Sequence, residues 1–265
     1  DLSNNNLNQI RFRQLRKLTS LKLNNIKSTN ISFHLQNFLT PILEYIDLSN
    51  FNISFNRNLQ FVFSKMERLQ YLVMANVNLI LIDSISLYQF HSLRFLNLSF
   101  NLIETVYKYH FLDNTALHEI HLNNNRIKYI DLNCFFKMSR LKIFNFKNNY
   151  LQHFDFNQMP RTENTIIFSD LSVVDLRNNE ISYLPEFKYF KYTNFNKLTI
   201  LDLSYNHLNE IIFKNLVTKT KLDSDTLLEN IFLNNNKINN ITIDSFKDFI
   251  NLKNIHLENN LIEFI

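Results

Sequence analysis

Apolar residues recur along the chain with a spacing that fits neither one helix nor one continuous strand. In the stretch 117–140 they fall at Leu117, Ile120, Leu122, Ile127, Ile130, Phe135 and Met138. Only the part around Ile120 and Leu122 alternates with polar residues, as a short strand does. The pattern therefore predicts a short strand with an inward apolar face, followed by a return segment that brings the chain back to the next strand.

The same pattern begins again many times. Full repeats start 24 to 30 residues apart, at Leu18, Leu43, Leu69, Leu93, Leu117, Leu141, Leu171, Leu198, Leu228 and Leu252. The shared motif L-x-x-L-x-L-x-x-N-x-L resembles a leucine-rich repeat. The resemblance implies an α/β fold, a leucine-rich repeat solenoid or horseshoe, with a parallel concave β-sheet and a mostly irregular convex side.

One repeat cannot bury its own apolar side chains, so stacked repeats must remove them from water together. We therefore expect residues 1–265 to form a single solenoid of about ten full repeats after a leading partial one. The chain opens inside a repeat at Asp1 and stops inside another at Ile265. We expect it to be a fragment that lacks both caps and any membrane anchor. Longer repeats place extra residues at 157–165, 186–193 and 217–225, which we expect to be exposed loops.

A polar residue recurs at the ninth motif position, which otherwise lies among core positions. We expect its amide to bond backbone groups of its own and the adjacent turn, forming a ladder. The ladder residues are Asn5, Asn101, Asn125, Asn149, Asn179, Asn206, Asn236 and Asn260. Three successive units instead carry Ile26, Phe51 and Val77. In one interpretation backbone bonds or the adjacent Asn25, Asn50 and Asn76 hold these turns; in the other, local curvature changes there and sets up a binding surface.

Composition argues against most enzyme chemistry. The chain contains no Gly, which excludes the phosphate-binding loops and the nucleophile elbow that need it. His118, Glu119 and His121 come near the zinc-protease motif, but they are one residue too close together and lie on a predicted strand. We predict no catalytic residues, no cofactor and no metal site. The lone Cys134 precedes Phe135 and is expected to be a buried structural thiol.

The outward residues of each strand should line up as ribbons on the concave face. We select as candidate partner-binding residues Tyr45, Asp47, Tyr71, Val73, Phe95, Asn97, Glu119 and His121. Tyr45, Tyr71 and Phe95 follow one another in consecutive repeats, and exposed contiguous aromatics are typical of protein interfaces. The alternative is that this column is half-buried against its neighbouring strands.

Two further features concern possible partners and the compartment. The N-terminal quarter is basic, which would attract an acidic glycan, but a scatter of solvated Lys and Arg on a convex surface is the simpler interpretation. No nucleic-acid module is recognisable. Glycosylation sequons occur at Asn30, Asn52, Asn97 and Asn240, about as many as chance gives in a chain with 43 asparagines.

The 24-residue unit with its Phe resembles the extracellular subclass of the family, which includes chaoptin-like adhesion proteins and Toll-like receptors. The resemblance implies a non-enzymatic module that binds a protein ligand on its concave face, in an extracellular or cell-surface protein. Two alternatives stay open: a cytoplasmic scaffold or adaptor, and the targeting region of a larger enzyme such as a receptor kinase.

Overall fold

The computed structural model describes residues 1–7, 15–27, 41–51, 66–85, 87–155, 169–184, 197–211, 227–242, 245–246 and 249–263. The expected extra loops at 157–165, 186–193 and 217–225, together with Arg11, Arg13, Asn30 and Asn52, lie outside these residues.

One parallel sheet runs through the described part of the chain. Its ten strands, in spatial order, are β1 (Ser20–Lys22), β2 (Tyr45–Asp47), β3 (Tyr71–Val73), β4 (Phe95–Asn97), β6 (Glu119–His121), β8 (Ile143–Asn145), β9 (Val173–Asp175), β10 (Ile200–Asp202), β11 (Asn230–Phe232) and β12 (Asn254–His256). A second, two-stranded parallel sheet pairs β5 (Thr105–Val106) with β7 (Tyr129–Ile130). Each strand of the large sheet pairs with the strand of the next repeat in the same register, so that equivalent residues stand side by side.

The inward leucine positions form a continuous core. The central repeat buries Leu117, Ile120, Leu122 and Ile127 completely, because its strand turns these side chains to one face. Phe135 is also fully buried, in a short 3₁₀ helix, Leu132–Phe135. Its ring stacks on Phe111 at 5.6 Å and meets Phe144 edge-on at 4.9 Å. Phenylalanine therefore fills the return side of the central repeats, as the repeat pattern predicts.

The turn after each strand requires a left-handed residue, and this chain has no Gly to supply it. Asparagine takes nine of the eleven described positions, because its short polar side chain tolerates positive φ better than other side chains do. The turn residue that precedes the ladder position has φ between 54° and 61° in every described repeat: Asn4, Asn25, Asn50, Asn76, Phe100, Asn124, Asn148, Asn178, Tyr205, Asn235 and Asn259. The Asn content of the chain thus has a structural use at these turns.

The expected fold class is confirmed: a parallel-strand solenoid with a mostly irregular return side. Among the described residues, helical structure is limited to three short 3₁₀ segments, Ile82–Ile85, Leu87–Gln89 and Leu132–Phe135. Within that same part of the chain, no helix is long and apolar enough to cross a bilayer.

Candidate ligand-binding face

The first and third residues of each strand face away from the core. The middle residues of β2, β3, β4 and β6 are fully buried, whereas their flanking residues are half-buried or exposed. The eight residues predicted from the sequence stand on these four strands in two columns. One column is Tyr45, Tyr71, Phe95 and Glu119, and the other is Asp47, Val73, Asn97 and His121.

The three aromatic residues Tyr45, Tyr71 and Phe95, here called the aromatic row, contact one another in sequence. The ring centroids of Tyr45 and Tyr71 are 6.1 Å apart, and those of Tyr71 and Phe95 are 6.3 Å apart. Tyr71 is 41% exposed, while Tyr45 and Phe95 are half-buried. The row is therefore neither a buried packing layer nor a set of isolated rings. It is a continuous aromatic surface open to solvent at its centre.

Charged groups close the aromatic row at both ends. The Lys22 ammonium lies 5.7 Å from the centre of the Tyr45 ring, a cation–π contact. At the other end the His121 ring lies 5.2 Å from Phe95, and its Nε2 is 3.3 Å from a carboxylate oxygen of Glu119. Partial burial, followed by the Asp47 carboxylate, raises the pKa of Tyr45 above its ordinary value. Tyr45 therefore stays a neutral hydrogen-bonding phenol at physiological pH.

The polar residues of the second column have local structural bonds. Asp47 Oδ1 accepts a hydrogen bond from the Ser49 amide at 2.9 Å, and Asn97 Oδ1 accepts from the Ser99 amide at 2.9 Å and its hydroxyl at 2.7 Å. Asp175 and Asp202 do the same for the amides two residues on. These side chains form Asx turns at the ends of their strands. Asp47 and Asn97 thus have turn-forming bonds in addition to any contact with a partner.

The face changes character beyond Glu119. The first column continues as Ile143, Val173 and Ile200, which are half-buried and aliphatic. Burial raises the pKa of the Asp175 carboxyl, and the neighbouring Asp202 carboxylate adds to this shift. Further on, the Phe232 and His256 rings stack at 4.7 Å. Aromatic contact along consecutive strands is therefore concentrated between β2 and β4.

The predicted ladder residues bond the backbone of two adjacent turns. Asn149 Nδ2 donates to the carbonyls of Leu122 and Phe146, both at 3.0 Å, and its Oδ1 accepts from the Ile127 amide at 2.9 Å. Equivalent bonds are made by Asn101, Asn125, Asn179, Asn206, Asn236 and Asn260. Six of these seven residues are buried, Asn260 being half-buried, and we call the seven the buried ladder. Asn5 is exposed, and its side-chain amide donates to the carbonyls of Leu2 and Ser3 in its own turn.

The three units without a ladder Asn keep that position apolar and dry. Ile26, Phe51 and Val77 are at most 3% exposed. Their turns carry a second set of amide bonds at the surface, in which Asn25 donates to Asn4, Asn50 to Asn25 and Asn76 to Asn50, at 3.1, 2.7 and 2.6 Å. We call these four residues the surface ladder. Asn148 and Asn178 form the same bonds in turns that also have a buried ladder amide, so both interpretations of the three units remain predictions.

A second aromatic surface was not foreseen from the sequence. Tyr107 and Tyr109 stack at 5.7 Å, Tyr107 lies 6.2 Å from Tyr129 across the β5–β7 sheet, and all three are 41–52% exposed. Below them the buried His110 accepts from the Tyr107 amide through Nδ1 at 3.1 Å, which places the proton on Nε2, 3.3 Å from Asp83. Burial lowers the pKa of His110, and Asp83 opposes this shift. The sequence Tyr-Lys-Tyr-His at 107–110 is the feature that could have indicated this aromatic surface in advance.

The remaining sequence candidates occupy separate places. Asn240 is exposed, whereas Asn97 lies on the concave face, where a glycan would cover the aromatic row. Arg16, Lys17 and Lys27 are exposed, in line with the expected basic patch.

The residues that the sequence analysis considered for reactivity or metal binding have other surroundings in the structure. Cys134 is buried, and burial raises the pKa of its thiol well above the ordinary value, which disfavours the nucleophilic thiolate form. His118 Nδ1 contacts the Ala116 carbonyl at 2.8 Å. Within the described residues no group of three or more His, Cys, Asp or Glu side chains could hold a metal ion.

Comparison with known proteins agrees with this architecture. The family model described as "Leucine rich repeat" matches residues 115–164. This part of the chain carries leucine-rich repeats. The chain is 32% identical to osteomodulin of Rattus norvegicus over 189 residues, which are 64% of this chain and 42% of osteomodulin. The chain therefore spans less than half the length of the curated relatives that it matches.

Solved structures share the fold of this chain. The APL1 leucine-rich repeat domain superposes with a TM-score of 0.72 at 21% identity, over 97% of this chain and 61% of that one. The TLR13–ssRNA13 complex superposes with a TM-score of 0.69 at 22% identity, over 98% of this chain and 40% of that one. At these identities the likeness concerns the fold alone.

Proposed function

We propose that this chain is a non-enzymatic protein-interaction module, and that a protein ligand binds the concave face over β1–β6. The observation that carries the proposal is the aromatic row with Lys22 at one end and the His121–Glu119 pair at the other. Tyrosine supplies a large contact area at low entropic cost and is enriched at interface hot spots. Exposed contiguous aromatics of this kind are uncommon on surfaces that contact only water.

A protein fits this face better than a nucleic acid does. Single-stranded RNA needs aromatic side chains inside a positively charged groove. Here the aromatic row is bordered by Asp47 and Glu119 as well as by Lys22. Mixed charge around an aromatic centre is the composition of a protein–protein interface with a polar rim.

We place the module in an extracellular or cell-surface protein, with the cytoplasmic scaffold as the alternative. The resemblance to the extracellular subclass of the family and the exposed sequon at Asn240 support this placement. An enzyme domain elsewhere in a longer protein is compatible with it. The basic surface of Arg16, Lys17 and Lys27 is a secondary candidate for contact with an acidic glycan.

Replacing the central ring tests the binding face. A photoreactive benzoylphenylalanine at position 71, in the full-length protein in its own cells, should cross-link to a polypeptide. Affinity for that polypeptide should fall at least tenfold, about 1.4 kcal/mol, in Tyr71→Ala, because the row loses its most exposed ring. The melting temperature should stay within about 2 °C, since Tyr71 is not in the core.

Tyr183 provides the matched control, because it is 46% exposed and lies outside the large sheet. Tyr183→Ala should leave the affinity unchanged. Cross-linking from position 183 but not from position 71 would overturn the proposed face, as would an adduct made only with RNA or glycan.

Glycan analysis tests the compartment. Glycosidase treatment of the full-length native protein should increase its gel mobility, and Asn240→Gln should remove part of that shift, because the exposed sequon is accessible to the secretory glycosylation machinery. Thr242→Ala, which destroys the same sequon while retaining Asn240, should behave identically. A protein without any glycosidase-sensitive shift would favour the cytoplasmic scaffold.

A further inference from the structure

Phe100 occupies a turn position that opposes its side chain. It is the left-handed residue of the turn after β4, with φ of 58°. Nine of the eleven equivalent turns described here use Asn at this position. Positive φ in a bulky residue is a genuine backbone outlier, because its Cβ comes too close to the following carbonyl oxygen. The fold therefore prefers Asn where it has Phe.

The ring of Phe100 also interrupts a hydrogen-bonded series. On one side the surface ladder ends at Asn76, and on the other Asn148 donates to Asn124 at 2.7 Å. An amide at position 100 would stand between Asn76 and Asn124, whereas a phenyl ring can neither donate nor accept. Codon bias does not explain the choice, because Asn and Phe both have A/T-rich codons.

Tyr205 shows how an aromatic residue can be stabilised at such a turn. It has φ of 56°, and the Arg177 guanidinium lies 4.9 Å from the centre of its ring. Phe100 is 57% exposed, and within the described residues its ring has no comparable cation or ring contact. Among the residues that the structure describes, no cation or ring contact offsets the strain and the missing amide bonds. Strained residues of this kind mark sites where function maintains an unfavourable conformation.

The position of Phe100 connects it to the aromatic row. It follows Phe95 and Asn97 in the same repeat, and its amide bonds the Asn123 carbonyl at 3.0 Å, which fixes the turn against the next repeat. The intervening Ser99 is buried. Phe100 is thus the next aromatic residue exposed to solvent after the row, at the rim where β4 ends.

We propose that Phe100 is a rim anchor that inserts its ring into an apolar pocket of the protein ligand covering the aromatic row. The inference rests on the proposed function and deepens it: the ligand extends from the concave face over the rim at β4, and it presents a pocket that fits a phenyl group. A rigid ring held by a fixed turn loses little entropy on binding.

The decisive variant is Phe100→Asn, which should separate stability from binding. Its melting temperature should rise by about 2–4 °C, the shift expected for a chain of this size when strain at one residue is relieved and a ladder amide is restored. Its affinity for the polypeptide cross-linked at position 71 should fall at least tenfold. Benzoylphenylalanine at position 100 should cross-link to that same polypeptide.

Tyr205→Asn is the matched control, because it removes an aromatic residue from the same type of turn far from the row. It should leave the affinity unchanged. A lower melting temperature for Phe100→Asn would show that the ring has a structural role and overturn the inference, as would an unchanged affinity. A cross-link from position 71 without one from position 100 would overturn the rim anchor alone, whereas the absence of a cross-link from position 71 would overturn the proposed function.

Discussion

The N-terminal and central repeats form the same turn with different side chains at the ladder position. The turns at Ile26, Phe51 and Val77 bury an apolar side chain and bond their asparagines to one another at the surface. The turns from Asn101 onward bury an amide and bond it to backbone groups of two repeats. A dry apolar position costs nothing in desolvation, while a buried amide is stable only with its partners in place. The difference shows that a repeat motif can change its chemistry while its geometry stays constant.

The change in turn chemistry coincides with the candidate binding face. The aromatic row begins in the apolar turns and ends at Phe95, in the first repeat with a buried ladder amide. Phe100 stands at this junction, next to Asn101. The repeats whose turns lack the ladder Asn therefore overlap with the repeats that carry the candidate binding face.

The largest effect in this comparison should come from replacing a buried amide. Asn149→Val keeps the volume of the site approximately, but it leaves the Ile127 amide without its acceptor and removes one of the two amide donors to the Leu122 carbonyl, the other being Asn125. We expect a loss of about 2–4 kcal/mol in unfolding free energy, since the unpaired Ile127 amide costs about 1–3 kcal/mol and each hydrogen bond lost elsewhere costs about 1 kcal/mol. Chemical denaturation measures the loss, and hydrogen exchange should show reduced protection at the Ile127 amide in particular.

The reciprocal variant Val77→Asn is the control for that prediction. Val77 is fully buried in the apolar core, and in the preceding turn the Phe51 amide already bonds the Leu48 carbonyl at 3.1 Å. We expect Val77→Asn to destabilise by about 1–3 kcal/mol through burial of an incompletely bonded amide. Stabilisation by Val77→Asn, or a neutral Asn149→Val, would show that the two kinds of turn are interchangeable.

Much of the fold could be predicted because the same apolar pattern recurs in every repeat. The register of Leu117, Ile120 and Leu122 predicted a buried strand face, and the position of Phe135 predicted a buried return side; both hold in the structure. The two columns of the candidate face followed from strand alternation and the repeat starts alone. These features depend on local periodicity, which a single sequence contains in full.

Other features could not be predicted, because they depend on contacts between repeats. Asp47 and Asn97 were predicted from the sequence as binding residues. In the structure they also form Asx turns at the ends of their strands. The Tyr107–Tyr109–Tyr129 surface needs a register between β5 and β7 that the motif does not specify. The strain at Phe100 was hidden because the motif leaves the residue before the ladder position unspecified.

The smallest effect should come from the surface amides. It tests how much they contribute in turns with and without a buried ladder amide. Asn50 and Asn148 have positive φ, and each makes two amide bonds to neighbouring turns. Gly retains the left-handed conformation at either position and removes only the side-chain bonds. Asn50→Gly should cost about 1 kcal/mol, and Asn148→Gly less, because the buried amide of Asn149 also holds the second turn.

Denaturation of both variants under identical conditions measures the difference, and Gly affects the unfolded chain equally in each, so that term cancels. Asn50→Ala, which adds left-handed strain, should lose about 1 kcal/mol more than Asn50→Gly. Equal losses at positions 50 and 148 would mean that the surface amides contribute the same in both regions. The apolar turns would then be held by their dry interior and backbone bonds, and the surface ladder would be a consequence of the required turn conformation instead of a substitute for the buried one.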